Sequence, residues 1–219
     1  MQHTVSRIVT LSGVGLHSGA EPVLRICPAA ASTGLRFVRV DVTGKDNVVP
    51  ARWDCVVDTR LCTVVGNSDG VTVGTIEHLM AALAACGVDN AVIELDGPEV
   101  PIMDGSAAPF IEAILDIGLK TQTAPRRAIQ IVKEVSVRDG DKVATLKPGI
   151  GSRYKIEIDF PHPEIGRQSA EVDMFAGDFI DQISESRTFG FLHEVNALRA
   201  MGLALGGSLE NAIVLDRDS

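Results

Sequence analysis

The chain has 219 residues, of which 45% are hydrophobic and 22% charged, a composition typical of folded globular proteins that disfavours disorder. Its 29 acidic and 20 basic residues give a net charge of −9, and Lys and Arg form no cluster, so a nucleic-acid-binding surface is disfavoured. No apolar run approaches the roughly 18 residues of a membrane span and the N-terminus lacks a secretory pattern, so we expect a cytoplasmic protein.

The first predicted elements are three strands. Residues 7–28 alternate apolar and polar side chains on both sides of a turn at Gly19, which is the pattern of a β-hairpin. Residues 34–40 alternate in the same way and predict a third, half-buried strand. The start of the chain therefore predicts a sheet.

A helix and a further strand follow the predicted sheet. Thr75 is the predicted N-cap of the helix, and Gly87 is its predicted end. Between them, apolar residues recur at the spacing of one buried helical stripe: Ile76, Leu79, Met80, Leu83 and Ala84. Residues 90–96 predict the strand, and a second helix is expected over residues 106–115.

The second half of the chain repeats the first half. Residues 127–148 match residues 7–28 in length and in their order of strand, turn and strand. Residues 211–216 resemble residues 90–96 at almost the same offset. Such repetition predicts two copies of one α+β unit.

We therefore expect two α+β domains, over residues 1–119 and 127–219, joined by a linker over residues 120–126. The second copy stops after its strand at residues 211–216, without the closing helix of the first copy. A sheet without that helix is expected to be partly open, which soluble monomers avoid. The repeat alone thus predicts that the sequence is truncated within its second domain.

Adjacent Glu77 and His78 begin the first predicted helix and lie outside its apolar stripe. A glutamate in the first turn often serves only to complement the helix dipole, and a single histidine is often an ordinary surface residue. Alternatively, the pair combines a metal-ligating imidazole with a carboxylate that takes a proton from metal-bound water. Both interpretations stay open at this point.

Three further segments allow a structural or a functional interpretation. Residues 103–110 fit a helix start in which Asp104 or Ser106 is the cap. The glycine-dense residues 13–19 lack the ending of a phosphate loop, and their His17 lines a site or occupies a turn. Residues 206–208 allow a close approach of another chain or a ligand to the backbone. A serine hydrolase is disfavoured, because no Gly-x-Ser-x-Gly motif occurs.

The four cysteines predict reduced thiols. They are widely spaced and form no Cys-x-x-Cys pair, so a structural zinc knuckle is not indicated. We expect each to be a small buried hydrophobic residue. They are Cys27, Cys55, Cys62 and Cys86.

Six segments occur in the order seen in one enzyme family: residues 13–19, 58–63, 75–79, 101–107, 186–191 and 202–208. On these segments the chain closely resembles the UDP-3-O-acyl-N-acetylglucosamine deacetylases of lipid A biosynthesis. The resemblance covers essentially all 219 residues. It implies two β-α-α-β domains whose helices are sandwiched between sheets, and a zinc-dependent amidase that releases acetate from the UDP-sugar.

The resemblance also implies residue roles. His78 is expected to be a zinc ligand, Glu77 the general base, and Thr188 the residue that helps to stabilise the oxyanion. Lys142, Asp159 and Phe160 are expected near the nucleotide. The positions expected around the active site or the acyl-chain passage are Leu16, His17, Leu61, Cys62, Phe189, Val195, Gly206, Gly207 and Ser208.

The chain departs from the family in one respect. The family's other two zinc ligands lie in a His-Lys-x-x-Asp motif beyond the strand at residues 211–216, and a further catalytic histidine follows. No histidine occurs after His193 in this sequence. The resemblance therefore also predicts an incomplete deacetylase.

Two alternatives stay open. A naturally truncated protein would bind a UDP-lipid or a partner without catalysis. An unrelated α+β metal hydrolase would use His17, His78 and Asp104 as ligands.

For the deacetylase itself, the expected partner is the small acylated UDP-sugar. The acyl chain of this substrate allows peripheral contact with a membrane. We expect the protein to be a monomer.

Overall fold

The computed structural model describes residues 1–174 and 177–216, and the bounds of its regular elements follow the apolar periodicity of the sequence. The strands and helices in chain order are β1 His3–Val5, β2 Val9–Ser12, β3 Val23–Pro28, β4 Leu35–Arg39, β5 Val48–Pro50, β6 Val56–Asp58, β7 Val64–Gly66, β8 Thr72–Val73, α1 Glu77–Ala85, β9 Ala91–Leu95, α2 Ala108–Ile117, β10 Leu119–Thr121, β11 Val135–Asp139, β12 Lys142–Leu146, β13 Arg153–Phe160, β14 Gly166–Asp173, β15 Phe189–Phe191, α3 Leu192–Ala200 and β16 Ile213–Leu215.

A five-stranded sheet in the order β2-β3-β9-β4-β5 organises the first unit. The strands predicted over residues 34–40 and 90–96 are β4 and β9, and this pair is parallel while the other neighbours are antiparallel. Alternate residues of these strands face the core, so Leu24, Ile26 and Ile93 are fully buried. The apolar alternation in the sequence therefore identifies the face of the sheet that is buried.

Helices α1 and α2 contribute the remainder of this core. Leu79 and Leu83 of α1 are fully buried, as are Phe110 and Ile114 of α2. Of the stripe that the sequence predicts for α1, Ile76, Leu79 and Leu83 are buried and Met80 is half-buried. Ala84 is exposed, so its place in the stripe is wrong, and Ala82 is buried instead.

The predicted C-terminal end of α1 is confirmed, whereas its predicted N-cap is wrong. Ile76 is the N-cap residue, without a side-chain cap, so the prediction that Thr75 caps this helix is wrong. Thr75 instead lies in a turn at φ 53° and its hydroxyl donates to Glu99, which removes it from the capping role. Gly87 follows the C-cap with φ 76° and ends the helix as predicted.

The end of the first unit returns to its beginning. Strand β10 pairs with β1, so the first two residues of the predicted linker lie in a strand. Gln122 continues this contact, because its backbone N–H donates to the carbonyl of Gln2. The boundaries of the two domains stay a prediction.

The second unit contains smaller sheets. The hairpin predicted over residues 127–148 is β11 with β12, β13 pairs with β14, and β16 pairs in parallel with β15. All residues of β11 and β12 are exposed, including the apolar Val135, Val137, Val143 and Leu146. The two strands therefore form a hairpin that is exposed on both faces.

Helical segments of the two units meet. Phe179 and Ile180, in a π-helical turn over Phe179–Ile183, pack against the first unit's core. Next to them, the Ala107 N–H donates to the Ser184 carbonyl at 3.0 Å. The chain thus has a mixed α+β fold in which this helical turn packs against the first unit. Within the described ranges, no helix is long and apolar enough to traverse a bilayer.

All four cysteines are free thiols, but each is only half-buried, so the expectation of full burial is wrong. Cys27 alternates with the buried Ile26 and therefore points away from the core, and Cys86 is the C-cap of α1. Cys55 lies in a short 3-10 turn, and Cys62 borders a cavity.

Candidate active site

Glu77 is the first residue of α1, where a carboxylate is favoured by the positive end of the helix dipole. Its Oε1 accepts a hydrogen bond from the backbone N–H of Thr63. Its Oε2 is buried and has no hydrogen-bond partner among the described residues. Because buried polar atoms are rarely left unpaired, this oxygen is available to a ligand or a water molecule.

A cavity of about 540 Å³ lies between the two units, and its lining includes Cys62 and Thr75 but not Glu77 itself. The first unit supplies His17, Leu61 and Cys62, which are three of the predicted substrate-binding residues. The second unit supplies apolar residues from α3 and the loop after it. These are Leu198, Met201 and Leu203. The cavity is thus apolar on one side and carries polar groups on the other.

The cavity is lined by a charged pair, Asp58 and Arg60, and by the neutral thiol of Cys62. Arg60 forms an ion pair with Asp58 at 2.7 Å, and its hydrogen bonds lower the pKa of that exposed carboxyl to about 2. Burial raises the pKa of the Cys62 thiol, so Cys62 contributes a neutral surface to the cavity. Leu61 is half exposed at the rim.

His17 lies in the wall of the cavity, which favours a functional interpretation of this residue over a simple turn. Both ring nitrogens are buried without a hydrogen-bond partner in the described part of the chain. Its backbone N–H, in contrast, donates to Glu99 at 2.9 Å. The imidazole is therefore free to bind a ligand while its backbone is fixed.

Glu99 lines the cavity and is absent from the site residues predicted from the sequence. It is 4% exposed, and its carboxylate accepts hydrogen bonds from His17 N, Ser18 N and Thr75 Oγ1. Burial opposes its ionisation, but these donors outweigh burial and hold the pKa of the Glu99 carboxyl below its usual value. A glutamate in an apolar loop between two prolines was the available signal.

Thr188 is held against the first unit. Its N–H donates to the Gly105 carbonyl at 2.8 Å, and its own carbonyl accepts from Ile213 N at 3.0 Å. Gly105 has a φ of 89°, and a Cβ there would lie 2.1 Å from the Asn211 carbonyl oxygen. Only glycine fits this contact, so Gly105 and Asn211 together set the position of Thr188.

Asp104 has a structural role. Its Oδ1 accepts from the backbone N–H and the hydroxyl of Ser106, and its side chain is exposed. No group of three His, Cys, Asp or Glu side chains within residues 1–174 and 177–216 could hold a metal ion. The alternative in which His17, His78 and Asp104 ligate a metal is therefore wrong.

The same test bears on zinc. His78 is half-buried on α1, but a catalytic zinc ion requires three protein ligands. Because the described residues provide no such group, they do not complete a zinc site around His78.

The close backbone approach predicted at residues 206–208 is present. Gly206 N donates to the Leu16 carbonyl at 3.1 Å, and a Cβ on Gly206 would lie 2.3 Å from the Gly15 carbonyl oxygen. The neighbouring Ser208 donates its N–H to Asn211 in a turn. Leu16 lies close to Gly207, so these predicted residues lie together at the boundary between the units.

The residues expected near the nucleotide are only partly brought together. Phe160 and Phe189 form an edge-to-face pair with ring centroids 5.3 Å apart. Asp159 is exposed on β13, next to Phe160. Lys142 is exposed on β12, which belongs to a separate two-stranded sheet. Val195 is half-buried on α3, near Gly190.

Comparison with known proteins gives consistent findings. The sequence model of one family, described as LpxC: UDP-3-O-acyl N-acetylglycosamine deacetylase, matches residues 2–219. The chain is 54% identical over 217 residues to the UDP-3-O-acyl-N-acetylglucosamine deacetylase of Phenylobacterium zucineum (strain HLK1), covering 99% of this chain and 74% of that protein. It is 54% identical over 218 residues to the protein of the same name from Myxococcus xanthus (strain DK1622), covering 100% and 69%. The corresponding protein of Shewanella halifaxensis (strain HAW-EB4) is 51% identical over 217 residues, covering 98% and 71%.

Proposed function

We propose a function from the premise that the chain belongs to the UDP-3-O-acyl N-acetylglycosamine deacetylase family, as the match over residues 2–219 establishes. The function is hydrolysis of the N-acetyl group of UDP-3-O-acyl-N-acetylglucosamine, which gives the free amine and acetate in lipid A biosynthesis. The observation that carries it is identity near one half over the whole chain to relatives of that name.

The cavity between the units supports a position for the substrate. Leu61, Leu198 and Leu203 offer apolar surface to the acyl chain, and His17 offers polar ring nitrogens to the sugar. The ring pair of Phe160 and Phe189 offers a flat surface to the uracil, with Asp159 beside it, and Lys142 is assigned to the diphosphate.

Glu77 is the proposed general base. Its Oε1 is held by Thr63 N–H, while the unpaired Oε2 takes a proton from the attacking water. The water oxygen forms a bond to the acetyl carbon and the C–N bond breaks. The nitrogen receives the proton and leaves as the amine. Thr188, fixed by Gly105, contributes to stabilising the negative charge on the carbonyl oxygen.

Zinc is the proposed cofactor, and His78 is proposed as one of its ligands. Zinc in such a site lowers the pKa of water and polarises the amide carbonyl. The described residues do not complete a zinc site, so zinc held by His78 alone would be bound weakly, and the roles above belong to Glu77 and Thr188.

The same observation favours a second candidate, which is binding of the UDP-lipid without turnover. Equilibrium dialysis and acetate release, measured with UDP-3-O-acyl-N-acetylglucosamine and supplied zinc, separate the two candidates. Turnover lost in Glu77→Gln supports the deacetylase, and saturable binding without acetate release supports the second candidate. If the chain neither binds the substrate nor releases acetate, both candidate functions are contradicted. A cytoplasmic monomer in peripheral contact with a membrane is the proposed setting.

A further inference from the structure

The Gly15 to Ser18 loop carries His17 and is held from two sides. On the first unit's side, His17 N and Ser18 N both donate to the Glu99 carboxylate, at 2.9 and 2.8 Å. On the second unit's side, Leu205 N donates to the His17 carbonyl at 3.3 Å and Gly206 N to the Leu16 carbonyl. Each of the two peptide groups that flank His17 is thus held by both units, through its N–H by Glu99 and through its carbonyl by the second unit.

Glu99 connects this loop to the helix that carries the proposed general base. Its Oε1 accepts from Thr75 Oγ1 at 2.7 Å, and Thr75 lies directly before the N-cap residue of α1. Thr75 has a φ of 53°, an unfavourable conformation for a β-branched residue. The hydrogen bond from Thr75 to Glu99 helps to hold this turn, so one carboxylate fixes both the loop and the start of α1.

The His17 ring has no hydrogen bond of its own among the described residues. Its position is therefore set by its backbone and by packing, and the backbone depends on Glu99. Gly15 provides room for this arrangement, because a Cβ there would lie 2.6 Å from Glu99 Oε2.

We propose that Glu99 is a positioning residue, which acts through His17 by fixing the His17 loop to the Thr75 turn at the wall of the cavity. The effect on substrate affinity rests on the proposed function, whereas the fixing of the loop does not. The two are therefore tested by separate measurements on the same 219-residue chain.

The first measurement is amide hydrogen exchange in wild type, Glu99→Gln and the control Glu112→Gln. Glu99→Gln replaces one of the two oxygens that accept from His17 N, Ser18 N and Thr75 Oγ1 with an N–H donor, so all three bonds can no longer form. Glu112, in contrast, is exposed on α2. We expect exchange at His17 and Ser18 to accelerate about tenfold or more in Glu99→Gln only, with β9 still protected. Unchanged exchange at His17 and Ser18, or equal acceleration in β9, would overturn the proposal.

Wild type provides a test that does not depend on the variant folding. Its His17 and Ser18 amides are expected to exchange far more slowly than unprotected amides. Exchange at the unprotected rate would overturn the proposal by itself.

The second measurement is a double-mutant cycle on the Kd of UDP-3-O-acyl-N-acetylglucosamine. If Glu99 acts through His17, Glu99→Gln weakens binding in wild type but has little further effect in His17→Ala. Additive losses would show that Glu99 does not act through His17. If wild type does not bind the substrate, the proposed function fails, while the exchange result still decides whether Glu99 fixes the loop.

Discussion

At the residue scale, chemistry depends on which polar atoms are satisfied by the fold. Glu77 has one oxygen bound to Thr63 N and one oxygen that is buried and unpaired among the described residues. The sequence could predict Glu77 and His78 as a candidate pair, because both interrupt an apolar stripe. It could not show that Thr63, a residue from a separate strand connection, holds the carboxylate in place.

Glu77→Gln tests the proposed base. Gln retains the oxygen that accepts from Thr63 N but cannot take a proton, so we expect any deacetylation by the chain to fall by roughly 10²-fold or more. Acetate release is the measurement, with Glu112→Gln as the control. Turnover within twofold of wild type would remove the role assigned to Glu77.

Glu99 predicts a specific dependence of stability on pH. Its folded pKa lies below its ordinary value of 4.5, so its contribution is fully present above that value. The contribution is lost as the pH falls through the folded pKa. We expect Glu99→Gln to lower the free energy of unfolding by about 2 kcal/mol at neutral pH, and by less below pH 4.5.

Urea midpoints of wild type and Glu99→Gln, measured at neutral pH and below pH 4.5, check this prediction. Glu112→Gln is the control, because its exposed side chain is expected to change stability little at either pH. If the difference in urea midpoint between wild type and Glu99→Gln grows on acidification, the lowered pKa of the Glu99 carboxyl is contradicted.

At the element scale, the elements of the first unit could be predicted from apolar periodicity. Strands β4 and β9 and the end of α1 at Gly87 agree with the prediction within one or two residues. The prediction that Thr75 caps α1 is wrong because the Thr75 hydroxyl donates a hydrogen bond to Glu99. Glu99 lies 24 positions away, and local capping patterns do not reveal such a partner. Pairing of β10 with β1 is likewise a long-range contact.

Gly105→Ala tests the contact that holds Thr188. The change adds a Cβ that would lie 2.1 Å from the Asn211 carbonyl oxygen, so the second unit must shift. The matched control is Gly34→Ala, which has a φ of 69° and open space around the added Cβ. In both variants the strained φ is expected to lower the free energy of unfolding by about 1 kcal/mol. We expect a larger decrease only in Gly105→Ala.

The readouts are the urea midpoint and amide exchange at Thr188, whose N–H donates to Gly105. Equal destabilisation of Gly105→Ala and Gly34→Ala, with Thr188 exchange unchanged, would contradict the assigned contact.

Gly206→Ala tests the approach between the second unit and the His17 loop. The added Cβ would lie 2.3 Å from the Gly15 carbonyl oxygen, whereas a Cβ on Gly149 would meet nothing within 4 Å. We expect Gly206→Ala to accelerate amide exchange around residues 15–18 and Gly149→Ala to leave it unchanged. The same exchange rates in both variants would show that the loop does not depend on this approach.

At the scale of the whole molecule, the division into two domains stays a prediction from the internal repeat, and the contacts between the two units could not be predicted. Gly105 against Asn211 and Gly206 against Gly15 join segments about 100 or 190 positions apart, and no local pattern encodes such contacts.

Zinc content is a property of the whole chain. Because the described residues place no three-ligand group at His78, we expect far less than one zinc ion per chain after gel filtration. Elemental mass spectrometry of wild type and His78→Ala measures it. One ion per chain in wild type, lost in His78→Ala, would require ligands that the described residues do not show.

The cavity between the units is proposed to receive the acylated UDP-sugar. The most direct test is an NMR titration of the 219-residue chain with UDP-3-O-acyl-N-acetylglucosamine, which does not depend on metal or turnover. We expect saturable binding with the largest amide shift changes at His17, Leu61, Cys62 and Leu203. No saturable binding, or shift changes confined to the separate cavity around Asp46 and Asn67, would contradict it.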